Sequence, residues 1–139
     1  MRQESGKKNG AKPQNKRAIG TRYEELAAGY LEQHGVTVLE KNFRARRGEI
    51  DLIVRDKGYL VFVEVKYRTT NDAGSGADAV GTRKQYTICR ISDYYRTRFG
   101  YRDSTPVRYD VIDCARAENG EISVVWYKNA FSYHPARRT

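Results

Sequence analysis

A chain of 139 residues is long enough for one domain with its own core and short for two. Only 39% of it is hydrophobic and 31% is charged, but eleven Tyr and several Val/Ile runs supply apolar area, so disorder is expected only at the ends. Lys and Arg outnumber Asp and Glu by 26 to 17, a net charge of +9 that favours a polyanionic partner, nucleic acid before acidic membrane, and no run approaches the roughly twenty apolar residues of a membrane span.

Residues 1–18 hold six basic residues and one Glu, with neither the apolar run of a signal peptide nor the stripe of a transit helix. Residues 1–17 are therefore expected to form a flexible basic tail, 18–131 one domain, and 132–139 a short basic C-terminal tail. Cys89 and Cys114 match neither CxxC nor a zinc spacing, so the expectation is a soluble, reduced, cytoplasmic protein. From Ile19 the residues Tyr23, Leu26, Ala27, Tyr30 and Leu31 recur with helical period, and Gly35 stops the helix. Val36 to Phe43 reads as a strand, Arg44 to Gly48 as a basic turn, and Glu49 to Val54 as a second strand.

Asp56-Lys57-Gly58 is a turn signal, Tyr59 to Tyr67 a third strand, and Arg68 to Asp78, rich in Thr, Ser and Gly, a mobile loop. A helix over Thr82 to Phe99 aligns Lys84, Ile88, Ile91 and Tyr95, closes at Gly100, and has the length of a crossover. Strands Val107 to Cys114 and Glu121 to Lys128, joined at Glu118-Asn119-Gly120, complete a mixed sheet whose first three strands run antiparallel.

Two of these strands carry charge where burial should forbid it. Asp51 lies in the second, and Glu64 and Lys66 share a face of the third; an ionised side chain there needs pairing or a metal. With Val54 opposite Tyr59, Asp51 would face Phe62 and neighbour Glu64 diagonally, whereas a three-residue loop would put the acids on opposite faces unless a bulge intervened. Two converging carboxylates, supplemented by a backbone carbonyl and water, suit Mg²⁺ or Mn²⁺, and the Lys66 ammonium could orient water or neutralise charge on a phosphate. An acid beside Arg47 or Arg55, and a surface ion pair between Glu64 and Lys66, are the bland alternatives.

Asp51 followed by Glu64-Val65-Lys66 resembles the PD-(D/E)xK nuclease superfamily, and GEIDLI followed by FVEVKYR resembles the YraN family of uncharacterised, endonuclease-like proteins. The likeness extends over residues 19–131 through GTRYEELA, RYDVI and NAF; Ile50 stands where the superfamily often has Pro. The resemblance implies an α/β fold, a restriction-endonuclease-like three-layer α/β/α sandwich around a mixed sheet, similar to archaeal Holliday-junction resolvases. It implies Asp51, Glu64 and the Val65 backbone carbonyl as metal ligands and Lys66 as the catalytic lysine. Glu24, which projects about 20° from Leu31 on a helical wheel, is a further acid for catalysis and metal, whereas Glu25 points away.

Arg44, Arg46, Arg47 and Arg68, with Lys84 and Gln85 opening the second long helix, are the candidate nucleic-acid contacts. Tyr86, Tyr94, Tyr95 and Tyr101 read as core or rim in preference to base-stacking residues, Trp126 as core, and His34 and His134 as without a role, while Asp110 braces either the fold or an interface. The expected function is that of a metal-dependent endonuclease acting on DNA, branched or structured DNA by analogy with the resolvases, with a homodimer as the analogous assembly. The alternative is a nucleic-acid-binding module of nuclease fold without cleavage of its own.

Overall fold

The computed structural model describes residues 12–69 and 80–137. The elements are α1 (Lys12–Gln33), β1 (Thr37–Ala45), β2 (Gly48–Asp56), β3 (Tyr59–Thr69), α2 (Thr82–Arg98), β4 (Val107–Arg116) and β5 (Ile122–Phe131). The five strands lie in chain order, β1-β2-β3-β4-β5. Every neighbouring pair is antiparallel except β3 and β4, which are parallel because α2 carries the chain back between them. The loop expected over Arg68 to Asp78 lies outside the described residues from 70 on, and Arg68 and Thr69 extend β3. Among the described residues no helix is long and apolar enough to cross a membrane.

One helix covers each face, giving the three-layer α/β/α sandwich. α1 packs Tyr23, Ala27, Ala28 and Leu31 onto Leu52, Val54, Val61, Val63, Val65, Ile112 and Cys114. α2 packs Ile88, Cys89, Ile91 and Tyr95 onto Ile53, Leu60, Phe62, Tyr109 and Val111. α1 begins at Lys12, before the expected Ile19, so residues 12–17 of the expected tail are helical and residues 1–11 lie outside the described residues. Its buried line also differs from the expected stripe: Ile19 and Leu26 are exposed, and Ala28 is the residue that packs. Small side chains at 27 and 28 let the helix lie close to the Val-rich sheet.

Both helices end on a Schellman turn. Val36 N–H returns to the Leu31 carbonyl and Gly35 N–H to Glu32, with Gly35 at φ 84°; Tyr101 and Gly100 repeat the pattern on Arg96 and Thr97. Val36 packs beside Leu31 in the same cluster, so the stop also aims the chain into β1.

The β2–β3 hairpin corrects the register. Asp56 pairs with Tyr59 around a two-residue turn in which Lys57 (φ 51°) and Gly58 (φ 90°) are both left-handed. The ladder is thus shifted two residues from the expected one: Val54 faces Val61, and the next rung beyond Leu52–Val63 would set Asp51 opposite Glu64. An even shift preserves the face of every residue in the ladder. The β1–β2 turn is likewise tighter than expected, Ala45 pairing with Gly48 around Arg46 and Arg47.

At the far end of β2 from Asp51, buried polar groups tie three strands together. Fully buried Asp110 accepts from Arg108 Nε (2.9 Å), Trp126 Nε1 (2.9 Å) and Asn129 N–H (2.8 Å), and Arg108 also bridges to Asp56 (2.8 Å). Asp110 therefore braces the fold, closing the bulge where β5 slips against β4 between Tyr109 and Val111.

Candidate metal centre

The paired rungs of β2 and β3 stop at Leu52–Val63, yet both strands continue, β2 beside β1 to Gly48 and β3 beside β4 to Thr69. The sheet forks there. On the fork side the Val65 N–H has no β2 carbonyl, and Asp51 Oδ2 accepts it at 2.8 Å. Opposite Asp51 on β1, Asn42 adopts φ 53° between the pairs Lys41–Leu52 and Phe43–Ile50. Strand alternation breaks at this point: Ile50 joins the α2 cluster although Leu52 belongs to the α1 cluster. Period-two alternation alone would put Ile50, Leu52 and Val54 on one face.

Within the fork, carboxylate oxygens of Glu24, Glu49 and Asp51 lie within 4.8 Å of one another. Glu24 comes from α1, Glu49 and Asp51 from alternate positions of β2. Asp51 is 9% exposed. Burial, then the charge of Glu64, pushes its pKa up to about 8; Glu24 adds to the rise, and the Val65 N–H opposes it. A hard cation takes oxygen ligands at 2.0–2.6 Å, roughly the spacing at which three such oxygens can share one ion, so the donor set fits Mg²⁺ or Mn²⁺.

Glu64 stands apart from this trio. Its Oε2 holds Lys84 at 3.0 Å and Lys66 at 3.5 Å, and the carboxylate is buried. Burial draws the Lys84 pKa down, but Glu64 beside it, with Asp51 and Glu49, outweighs this and the net shift is upward. Both lysines are thus committed to Glu64, and Asp51 keeps no direct cationic partner among the described residues. Glu24 and Glu49 open into a cleft of about 480 Å³ lined also by Lys16, Arg17, Thr21 and Arg44, among others. It is basic at the rim and acidic at the floor.

Residues 23–114 match the family described as Uncharacterised protein family UPF0102. The chain belongs to the UPF0102 family. This is the YraN family that the GEIDLI and FVEVKYR motifs resemble. A UPF0102 protein of Lachnoclostridium phytofermentans is 41% identical over 117 residues, 84% of this chain and 95% of the relative. One of Aliivibrio fischeri is 42% identical over 120 residues, covering 86% and 95%, and one of Legionella pneumophila is 37% identical over 108 residues, covering 78% and 89%.

In this UPF0102 chain the fork gathers Glu24, Asp51, Glu64, Lys66 and Lys84, all inside the matched segment. The other candidate contacts scatter. Arg44 pairs with Glu49 (3.5 Å) at the cleft, Arg46 is exposed in the β1–β2 turn, and Arg47 lines a different groove. Arg68 is bound by Asp113 (Nη2–Oδ2 3.0 Å), and the Gln85 amide bridges the Val80 carbonyl and His134 (both 2.8 Å). Tyr95 is core, Tyr101 packs against it, and Tyr86 stacks on His134.

Sequence reasoning missed Glu49, Lys16 and Arg17. The signal for Glu49 was its i, i+2 spacing from Asp51 on one strand. For Lys16 and Arg17 it was helical spacing to Glu24, hidden because the helix was started at Ile19.

Proposed function

We propose that this UPF0102 protein is a metal-dependent phosphodiesterase, an endonuclease acting on DNA. The observation that carries the reading is the convergence of Glu24, Glu49 and Asp51 within 4.8 Å, Glu24 and Glu49 lining a cleft that Lys16, Arg17 and Arg44 also line. Asp51 with Glu24 and Glu49 would hold Mg²⁺ or Mn²⁺, and Glu64 borders the same fork. A divalent cation there would supply charge neutralisation at a phosphate and an acidified water. The chain's own groups do the rest. Lys16, Arg17 and Arg44 hold the sugar-phosphate backbone, Asp51 Oδ2 stays tied to the Val65 N–H, and Lys66 brings an ammonium to the charge that builds on the phosphate.

The test is a panel of linear, single-stranded, flapped and four-way DNA incubated with Mg²⁺ or Mn²⁺. Wild type is expected to cleave at least one member. Lys66→Ala should retain calorimetric metal binding and DNA affinity while its single-turnover rate falls by a factor on the order of 10² to 10³. Silence of wild type across the panel, with binding retained, would sink the enzymatic reading in favour of a binding module of nuclease fold.

A further inference from the structure

The β1–β2 hairpin has a groove on each side. Asn42, Arg44 and Glu49 line the acidic cleft; Arg47, from the same turn, lines a second groove of about 550 Å³ between the start of α2 and the segment after β5. Arg47, Arg83, Arg90 and Arg137 line this second groove, and among the described residues no acid does. Among the described residues Arg47, Arg83 and Arg137 have no carboxylate within ion-pair distance. Arg90 gives Nη2 to the His134 carbonyl and to Asp93 (3.3 Å), but its buried Nε and Nη1 have no hydrogen-bond partner. Three arginines without a carboxylate partner in one groove call for an anionic ligand.

The groove wall is flat as well as charged. Arg137 lies over the Tyr86 ring at 4.4 Å, and Tyr86 stacks on His134 at 4.5 Å. Gly48 seats the hairpin on α2: a Cβ there would meet Thr87 and Ile91 at 3.6 and 3.7 Å, and Thr87 also lines the groove. The hairpin is therefore a ribbon seated on α2 with a groove bearing basic residues on each side, carrying exposed Arg46 and Arg47 at its tip.

Resting on the nuclease reading above, we infer that this hairpin lies in a groove of double-stranded DNA, with phosphates of the strand to be cut in the acidic cleft and those of the complementary strand in the arginine groove. A two-stranded ribbon fits the roughly 12 Å major groove, which presents one backbone on each flank. A single strand would have to pass over the hairpin to reach both troughs. The substrate class is thus duplex, and strand choice is set by which flank carries the acids.

The experiment uses the full chain in EDTA, so that cleavage plays no part, and measures fluorescence anisotropy of one oligonucleotide as duplex and as single strand between 50 and 200 mM salt. Arg83→Ala/Arg137→Ala removes two cations from the second trough only. If they contact phosphate, the duplex salt slope flattens by about two, so wild type loses about tenfold more duplex affinity over that range than the variant. The single-strand slope should not change, and Arg83→Lys/Arg137→Lys should restore the duplex slope, which separates charge from misfolding. Equal flattening on both forms would mean one strand runs through both troughs, and no change on either would mean the groove does not bind DNA; each overturns the inference. Failure of wild type to bind either form would instead sink the nuclease reading itself.

Discussion

Metal-free protein should lose stability as pH rises from 5 to 8, and Asp51→Asn should abolish most of that loss. The carboxyl of Asp51 moves from an ordinary pKa of 3.8 to about 8 in the fold, because burial and then Glu64 penalise its ionised form. Below pH 3.8 both folded and unfolded chains hold the proton and the group contributes nothing. Between the two pKa values the unfolded chain releases it while the folded chain keeps it, so stability falls with rising pH. At pH 5 the difference is about one unit and at pH 8 about four, at about 1.4 kcal/mol each, so the loss across this window is on the order of 4 kcal/mol. Asn keeps an oxygen for the Val65 N–H but does not titrate. Urea unfolding at several pH values in EDTA compares the two proteins, and repeating it with Mg²⁺ should shrink the slope for wild type alone, because binding favours the ionised carboxylate. Parallel pH profiles for the two proteins without metal would refute the argument that Asp51 is held protonated by its surroundings.

Two further outcomes follow from the geometry. Glu49→Gln should weaken calorimetric metal binding as much as Glu24→Gln does, since both carboxylates share the trio with Asp51; unchanged affinity would remove Glu49 from the site. Asp110→Ala should cost about 3 kcal/mol in urea unfolding, since it takes the acceptor from Trp126 Nε1 and the Asn129 N–H and leaves Arg108 with Asp56 alone, and a cost below about 1 kcal/mol would show that the brace is not needed.

The strands were legible because apolar runs and turn residues agree with each other, as at Lys57-Gly58, where two left-handed residues demand a tight hairpin. The phase was left open between an even and an odd loop, and the two-residue turn makes it even. The rung itself was not legible, because a shift of two residues preserves every face. The break at Asn42 was invisible: nothing in period-two alternation foretells a left-handed residue in mid-strand, and that break carries Ile50 over to α2. Charge was the poorest guide. Arg68, Lys84 and Gln85 all looked free to meet a phosphate, yet Asp113, Glu64 and the Val80–His134 pair respectively engage them, and which acid meets which base depends on strands far apart in sequence. Asp110 was ambiguous for the same reason, since its partners come from β4 and β5.

The fork also orders the assembly of the molecule. Glu24, Glu49, Asp51 and Glu64 all precede the end of β3, so a growing chain has made every acid of the site before β4 exists. It cannot yet hold them. The half of β3 that carries Glu64, Val65 and Lys66 has left β2, and its backbone rungs are supplied by Val111, Ile112 and Asp113 of β4 in parallel. That pairing waits for α2 to be made and for a long loop to close, the slow kind of contact in a folding chain. A chain ending before β4 would therefore leave the half of β3 that carries Glu64 without a partner strand.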